Sequence, residues 1–298
     1  CAGCRCRWRP HALGVHTRIC LADIGHCFPA RHCLRQGAQV LHVIGSGRLG
    51  RHLANRLDHL GIAVTRWNRS PQDGTLLLTD WQAGDAPDAV FLAVSDDALS
   101  AVAAHILPSL PEGTWLIHHA GSVDRDILGD RVSDTAVLWP PMTFQGEQEP
   151  HWDTMPLIVD TDNADIRTWA RTLAPHCTDV DGTQRRELHL GAVLLGNLTA
   201  GWIGMVEAHF QARGLDASIF HPLVEASVAK ALVGHALDHV TGPAARNDRS
   251  TLLAQADLLA QTDPTGDLAP LHHILTQRIL THHGHNPLPP LQGTPRRD

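Results

Sequence analysis

The feature that most constrains this chain is a six-residue run, Gly45-Ser46-Gly47-Arg48-Leu49-Gly50, set directly behind the apolar stretch Val40-Leu41-His42-Val43-Ile44. A short apolar run of this kind reads as a strand buried on both faces of a parallel sheet. Leu49, Leu53, Leu57 and Leu60 then recur at helical spacing as far as Gly61, and Ala63 to Trp67 reads as a second strand. Strand, glycine loop, helix and strand together are the context in which GxGxxG has physical meaning. The first glycine permits a tight turn, the second lets a pyrophosphate approach the backbone, and the third lets the helix pack closely on the sheet. The helix N-terminus adds free N–H groups and partial positive charge. Gly45, Ser46, Gly47, Arg48, Leu49 and Gly50 are therefore expected to hold a dinucleotide.

The end of the second strand predicts which one. A site for NAD usually places Asp or Glu there, about 20 residues past the loop, to hold the ribose hydroxyls. This chain has Asn68-Arg69-Ser70 instead. A carboxylate would repel a 2'-phosphate, whereas a guanidinium beside a hydroxyl can bind it through charge-assisted hydrogen bonds, so NADP(H) is expected. Arg48 and Arg66 are placed either to assist or to remain solvated surface charges. Val90 to Val94 reads as a further strand whose end, Val94-Ser95, would lie beside the cofactor, with Asp97 read as a helix N-cap.

Further short apolar runs at Leu76 to Leu78, Thr114 to His118, Ala136 to Leu138, Pro156 to Val159 and Thr178 to Val180 alternate with helical or turn-rich text. This predicts a doubly wound, mostly parallel α/β sheet over residues 39–182. Beyond Gly182 only helical patterns remain, at Glu187 to Phe210, Ala217 to His235, Ser250 to Gln261 and Leu268 to His282, giving an all-helical domain over 183–284. The tail from 285 is rich in Pro, Gly and Arg and is expected to be disordered. No uninterrupted apolar run reaches the roughly 18 residues that span a bilayer, so no membrane partner is expected.

Six of the seven cysteines fall within residues 1–33, interleaved with histidines. Such a cluster could ligate zinc, but its spacings match no known knuckle, so residues 1–38 are read as an extension outside the packed domains and no metal is expected. With Cys177 alone in the body, a cytoplasmic, disulfide-free protein is expected. The net charge of -7 combines +5 over residues 1–38 with -12 over the remainder, and so acidic a body argues against a nucleic-acid partner. Tyr is absent and Lys230 is the only lysine. Mechanisms that require a tyrosine acid are thereby excluded, and a lysine mechanism has a single candidate.

Four segments carry a resemblance: Ile117-His118-His119-Ala120-Gly121, Trp139-Pro140-Pro141-Met142-Thr143-Phe144, His189 to Asn197, and Thr241-Gly242-Pro243-Ala244-Ala245-Arg246-Asn247-Asp248. Over roughly residues 39–283 the chain resembles proteins with a Rossmann-like domain followed by the C-terminal domain of unknown function 2520. These belong to the 6-phosphogluconate dehydrogenase-like proteins, with pyrroline-5-carboxylate reductase a more distant relative. The resemblance implies a homodimer formed through long apolar helices. The chain departs from the family pattern where His-x-Ser-Gly becomes His118 to Gly121 and where His-Pro-Leu-Gln-Thr-Phe becomes Trp139 to Phe144. In the hydroxyacid dehydrogenase branch a lysine stands four residues before an asparagine on the central helix, and here Val193 precedes Asn197.

His189 and Asn197, at i and i+8, share a face of a regular helix within about 80°. Histidine titrates near neutrality and can pass a proton to a heteroatom as hydride reaches the adjacent carbon, while an amide orients that group. His118, at a strand end facing the cofactor crevice, is the second acid/base candidate. Thr143, Arg246 and Asp248 are candidates for substrate contact, although Arg246 and Asp248 could instead pair with each other. The expected function is hydride transfer to or from a small carbonyl, imine or hydroxyl compound in the cleft between the domains. The alternative is a non-catalytic NADP(H)-binding sensor or scaffold.

Overall fold

A computed structural model describes residues 40–82, 87–129, 134–144, 146, 148–263 and 265–289. The cysteine-rich stretch, its zinc reading and the end of the tail lie outside the described residues. The chain divides into two compact units, with the boundary between Leu190 and Gly191.

The first unit is built on an eight-stranded sheet in the order β3-β2-β1-β4-β5-β6-β7-β8. Its strands are β1 (Leu41–Ile44), β2 (Val64–Asn68), β3 (Leu76–Leu77), β4 (Ala89–Leu92), β5 (Trp115–His118), β6 (Thr135–Trp139), β7 (Pro156–Asp160) and β8 (His176–Asp179). Its helices are α1 (Arg48–His59), α2 (Asp96–Ile106) and α3 (Ala164–Leu173), and α4 (Gly182–Ala192) begins the exit from the sheet. Side chains alternate between faces with the period of two that a strand imposes. Val43, Phe91 and Ile117 join Leu53 and Leu57 of α1 and Trp169 of α3 in one cluster. Ile44, Leu92 and Leu116 join Leu99, Ala103 and Ile106 of α2 in the other. Two apolar faces covered by helices are what a doubly wound sheet requires, and each fully buried leucine of α1 contributes about 2–3 kcal/mol.

All pairings are parallel except β6 with β7. That exception follows from the connection. Parallel neighbours need a crossover, usually helical, and the described residues between Trp139 and Pro156 form loops and turns with no helix. α3 then supplies the crossover that makes β8 parallel to β7.

In the second unit a π-helical segment, Val193–Asn197, continues α4 into α5 (Leu198–Gln211), followed by α6 (His221–Ala231), α7 (Arg249–Thr262) and α8 (Leu268–His282). Its described core is small: Ala244, Leu252, Leu280 and Leu288, with Ile279 packed against them. Leu288 corrects the expectation of disorder from 285. It is buried, its backbone exchanges two hydrogen bonds of 2.7 Å with the Gln277 side chain, and Arg249 donates to the carbonyls of Asn286 and Pro287. The helical run Gly182–Gln211 is also, by length and composition, apolar enough to cross a membrane. A search for an uninterrupted apolar run overlooks it because His189, Asn197 and Thr199 punctuate the segment.

Candidate dinucleotide site

β1 and β4 meet where the strand order reverses, and at such a point the carboxyl ends of the strands leave a crevice for ligand. The glycine loop occupies it. Gly45 has φ +107°, and a Cβ there would lie 2.4 Å from the Ala93 carbonyl oxygen. A Cβ on Gly50 would lie 1.9 Å from the Gly45 carbonyl oxygen. The packing of loop, helix and β4 thus enforces both glycines. Gly47 differs, because a Cβ there would meet nothing within 4 Å. The fold does not require Gly47, whereas a pyrophosphate approaching the backbone would.

Gly47 is the N-cap of α1, it makes no side-chain cap bond, and the first turn contains no acidic residue. The leading N–H groups are therefore free for an anion, with Arg48 and Arg51 beside them in sequence. α2 is the contrast, since its first turn carries Asp96 and Asp97. Its N-cap is Ser95, which corrects the assignment of that role to Asp97: the strand ends at Leu92 and the helix starts at Asp96, two residues sooner than a cap at Asp97 would have it. Asp96 instead accepts a 2.7 Å hydrogen bond from Ser122. The crevice thus has one helix end suited to phosphate and one that repels it.

Gly45 N–H donates to the Trp67 carbonyl at 2.8 Å, which draws the end of β2 against the glycine loop. Ser46 hydrogen-bonds Gln72, and the Asn68 amide donates to the Ser70 carbonyl at 3.0 Å. Ser46 and Asn68 thus meet the same Gln72 side-chain oxygen, which joins the glycine loop to the end of β2. The cavity there, about 150 Å³, is lined in part by Gly45, Ser46, Gly50, Arg66, Gln72 and Asp73. Arg69 and Arg48 are exposed. Arg66, by contrast, is held by Asp58 at 2.7 Å, so its charge is already matched. Val94 lies against Gly45, its Cγ1 3.1 Å from where a Cβ would stand, and Ser95 is exposed at the head of α2.

Further along the same carboxyl edge, Gly121, Trp139 and His189 interlock. A Cβ on Gly121 would lie 2.5 Å from His189 Cδ2 and 2.8 Å from the Trp139 ring, and the two rings have centroids 5.2 Å apart. His189 is half-buried, so its imidazole is held and still reachable. Thr143 is exposed on the loop after β6.

His118 does not suit the acid/base role considered for it. It is fully buried, on the same side of β5 as Leu116, and its Nδ1 accepts the Ala120 N–H at 3.2 Å. Burial above all, then the neighbouring His119 and Arg185 charges, pushes its pKa down to about 3. His119 is likewise held down to about 4 by burial, against the opposing effect of its 2.6 Å bond to the Leu138 carbonyl. Both histidines are neutral core groups. Their folded values lie below the ordinary 6.5, so the unfolded chain takes up protons first. Their contribution to stability is complete above about pH 6.5 and is lost as the pH falls toward those values, at about 1.4 kcal/mol per pH unit for each. Urea midpoints should therefore drop between pH 7 and pH 5. His119→Phe should flatten that slope, and a midpoint independent of pH in this range would contradict the assignment.

The second unit places the remaining candidates. The i+8 relation of His189 and Asn197 presumes a regular α-helix, and the π-helical residues Val193–Asn197 replace it. Asp248 is the N-cap of α7. It accepts from the Thr251 amide and from the Thr251 and Ser250 hydroxyls, which, with Arg246 adding a smaller effect, hold its carboxyl below the usual range. Its side chain is thus committed to the helix end. Arg246 is exposed. Among the described residues no group of His, Cys, Asp or Glu could hold a metal ion.

Sequence reasoning missed Arg185, the only buried residue of α4. A charged residue in a first helical turn normally reads as solvated, and no spacing signals otherwise.

The architecture is that of a Rossmann-like fold followed by a helical region. Residues 159–279 match the family model described as domain of unknown function DUF2520. A Bacteroides fragilis protein provisionally named an NADP oxidoreductase superposes with a TM-score of 0.70 at 22% identity, over 82% of this chain and 98% of that one. Protein TM1727 from Thermotoga maritima gives 0.66 at 17% identity, over 82% and 100% of the respective chains. An imine reductase from Myxococcus stipitatus in complex with NADP+ gives 0.58 at 16%, over 83% and 96%. At these identities the likeness is one of fold. No curated protein matches the chain in sequence.

Proposed function

We propose that this protein is an NADP-dependent oxidoreductase that moves hydride to or from a small carbonyl, imine or hydroxyl compound. The observation that carries the reading is the pairing of an uncapped, acid-free α1 N-terminus with an exposed Arg69 at the end of β2, where a carboxylate would select against the 2'-phosphate. NADP(H) would lie with its pyrophosphate on the N–H groups of Arg48, Leu49 and Gly50 and its adenosine end toward Asn68, Arg69 and Ser70. When bound, it supplies or accepts the hydride. His189, held against Trp139, is the group left to hold the proton that accompanies the change at the substrate heteroatom, since His118 is enclosed.

NADPH at 100 times its Kd should add about 2.7 kcal/mol of stability. Consumption of NADPH with a panel of ketones and imines should be lost in His189→Ala while NADPH affinity is retained. Silence of the wild type across a broad panel, with NADPH bound, would favour the sensor reading instead.

We also propose a homodimer. Among the described residues, seventeen of the nineteen exposed large apolar side chains fall between Leu188 and Leu275, including Leu195, Leu232 and Val233 at 82% exposure each. So much exposed apolar surface over so small a core calls for a protein surface to cover it. Light scattering behind size exclusion should give twice the mass of one chain, with Leu195→Glu plus Leu232→Glu reducing it. A wild-type monomer, or one that partitions onto lipid vesicles, would overturn the dimer.

A further inference from the structure

α4 is attached to the sheet in an unusual way. Helices on a sheet normally bury an apolar stripe, yet the one buried residue of α4 is Arg185, at 0% exposure. Its Nε donates to Asp160 at the end of β7 at 3.1 Å, and its Nη2 to Asp124 at 3.3 Å. Nη1 donates to two successive carbonyls, those of Ala120 at 3.3 Å and Gly121 at 2.6 Å. Asp124 is shared with Arg186, and Asp160 lies 3.8 Å from Arg125. The buried guanidinium therefore has both charge and hydrogen-bond partners, as its burial demands.

Such a pair is a poor device for stability alone, since apolar residues of similar volume often do as well. What a guanidinium does and an apolar side chain cannot is gather two carbonyls of one loop onto a single planar donor. Ala120 is consequently held through both of its flanking peptide groups, its N–H by His118 and its carbonyl by Arg185. The next residue, Gly121, is the one with no room for a Cβ between His189 and Trp139. Arg185 and His189 stand four residues apart, on one face of the same helix.

We propose that Arg185 is a positioning residue: its guanidinium, set by Asp160 and Asp124, holds the Ala120 and Gly121 carbonyls and so fixes the contact between His189 and Trp139 at the carboxyl edge of the sheet. The inference concerns the histidine used in the proposed reaction, but its test needs neither cofactor nor substrate, so the two can fail separately.

The test is NMR of the full chain. The His189 Hε1 resonance is assigned by its loss in His189→Gln, and its displacement by the Trp139 ring is measured against Trp139→Leu. In Arg185→Met most of that displacement should be lost while the cooperative unfolding transition is kept. A folded Arg185→Met chain with the His189 resonance unmoved would overturn the proposal. If Arg185→Met does not fold, Arg185→Lys decides. A single ammonium lacks the planar fork that reaches both carbonyls and both carboxylates, so the displacement should fall even with the charge retained, and an unmoved resonance would again refute the role.

Discussion

Arg69→Glu should reverse the coenzyme preference. Removing a guanidinium that makes charge-assisted hydrogen bonds to a phosphate costs about 1.5–3 kcal/mol, and a carboxylate in its place adds repulsion, so NADPH affinity should fall by roughly 100-fold. NADH affinity should hold or improve, because Glu can accept from the ribose hydroxyls. Arg66→Ala should do much less to the preference, since Asp58 already engages that side chain. A variant that kept the wild-type ratio of NADPH to NADH affinities would remove Arg69 from the site.

The glycines of the loop should separate into two kinds. Gly50→Ala brings a Cβ to 1.9 Å from backbone, where no flexible side chain can give way, so the helix must shift against the sheet. Overpacking of this severity costs about 3 kcal/mol, and cofactor binding should disappear with the displaced helix start. Gly47→Ala has open space for its Cβ, so its melting temperature should stay near that of the wild type, or rise as unfolded-state entropy falls. The same methyl group stands where the pyrophosphate must approach, so NADPH binding should still be lost. Equal destabilisation by both substitutions, or unimpaired NADPH binding by Gly47→Ala, would contradict the assignment of the loop.

This contrast also shows why some of the molecule is legible in its sequence. A glycine loop encodes backbone approach as residue identity, and the two-residue alternation of Val43 and Ile44, or Ile117 and Leu116, encodes which face each side chain joins. Fold class and the strand–glycine loop–helix geometry follow from such local signals. The reversed direction of β7 does not, because it depends on how the connection from Trp139 to Pro156 travels. Position alone misleads for His118. Its place at a strand end suggests the crevice, yet the alternation that puts Leu116 in the core puts His118 there too. Arg185 and the π-helical segment are the least legible. A buried guanidinium is specified by partners more than 20 residues away, Asp160, Asp124 and two loop carbonyls, and no periodicity reports them.

Isothermal titration of the wild-type chain with NADPH and NADH tests the central claim most directly. Binding of NADPH at micromolar or lower Kd, with NADH at least about tenfold weaker, a difference of about 1.4 kcal/mol, is the predicted result. Equal or tighter binding of NADH, or no heat from either nucleotide, would contradict it.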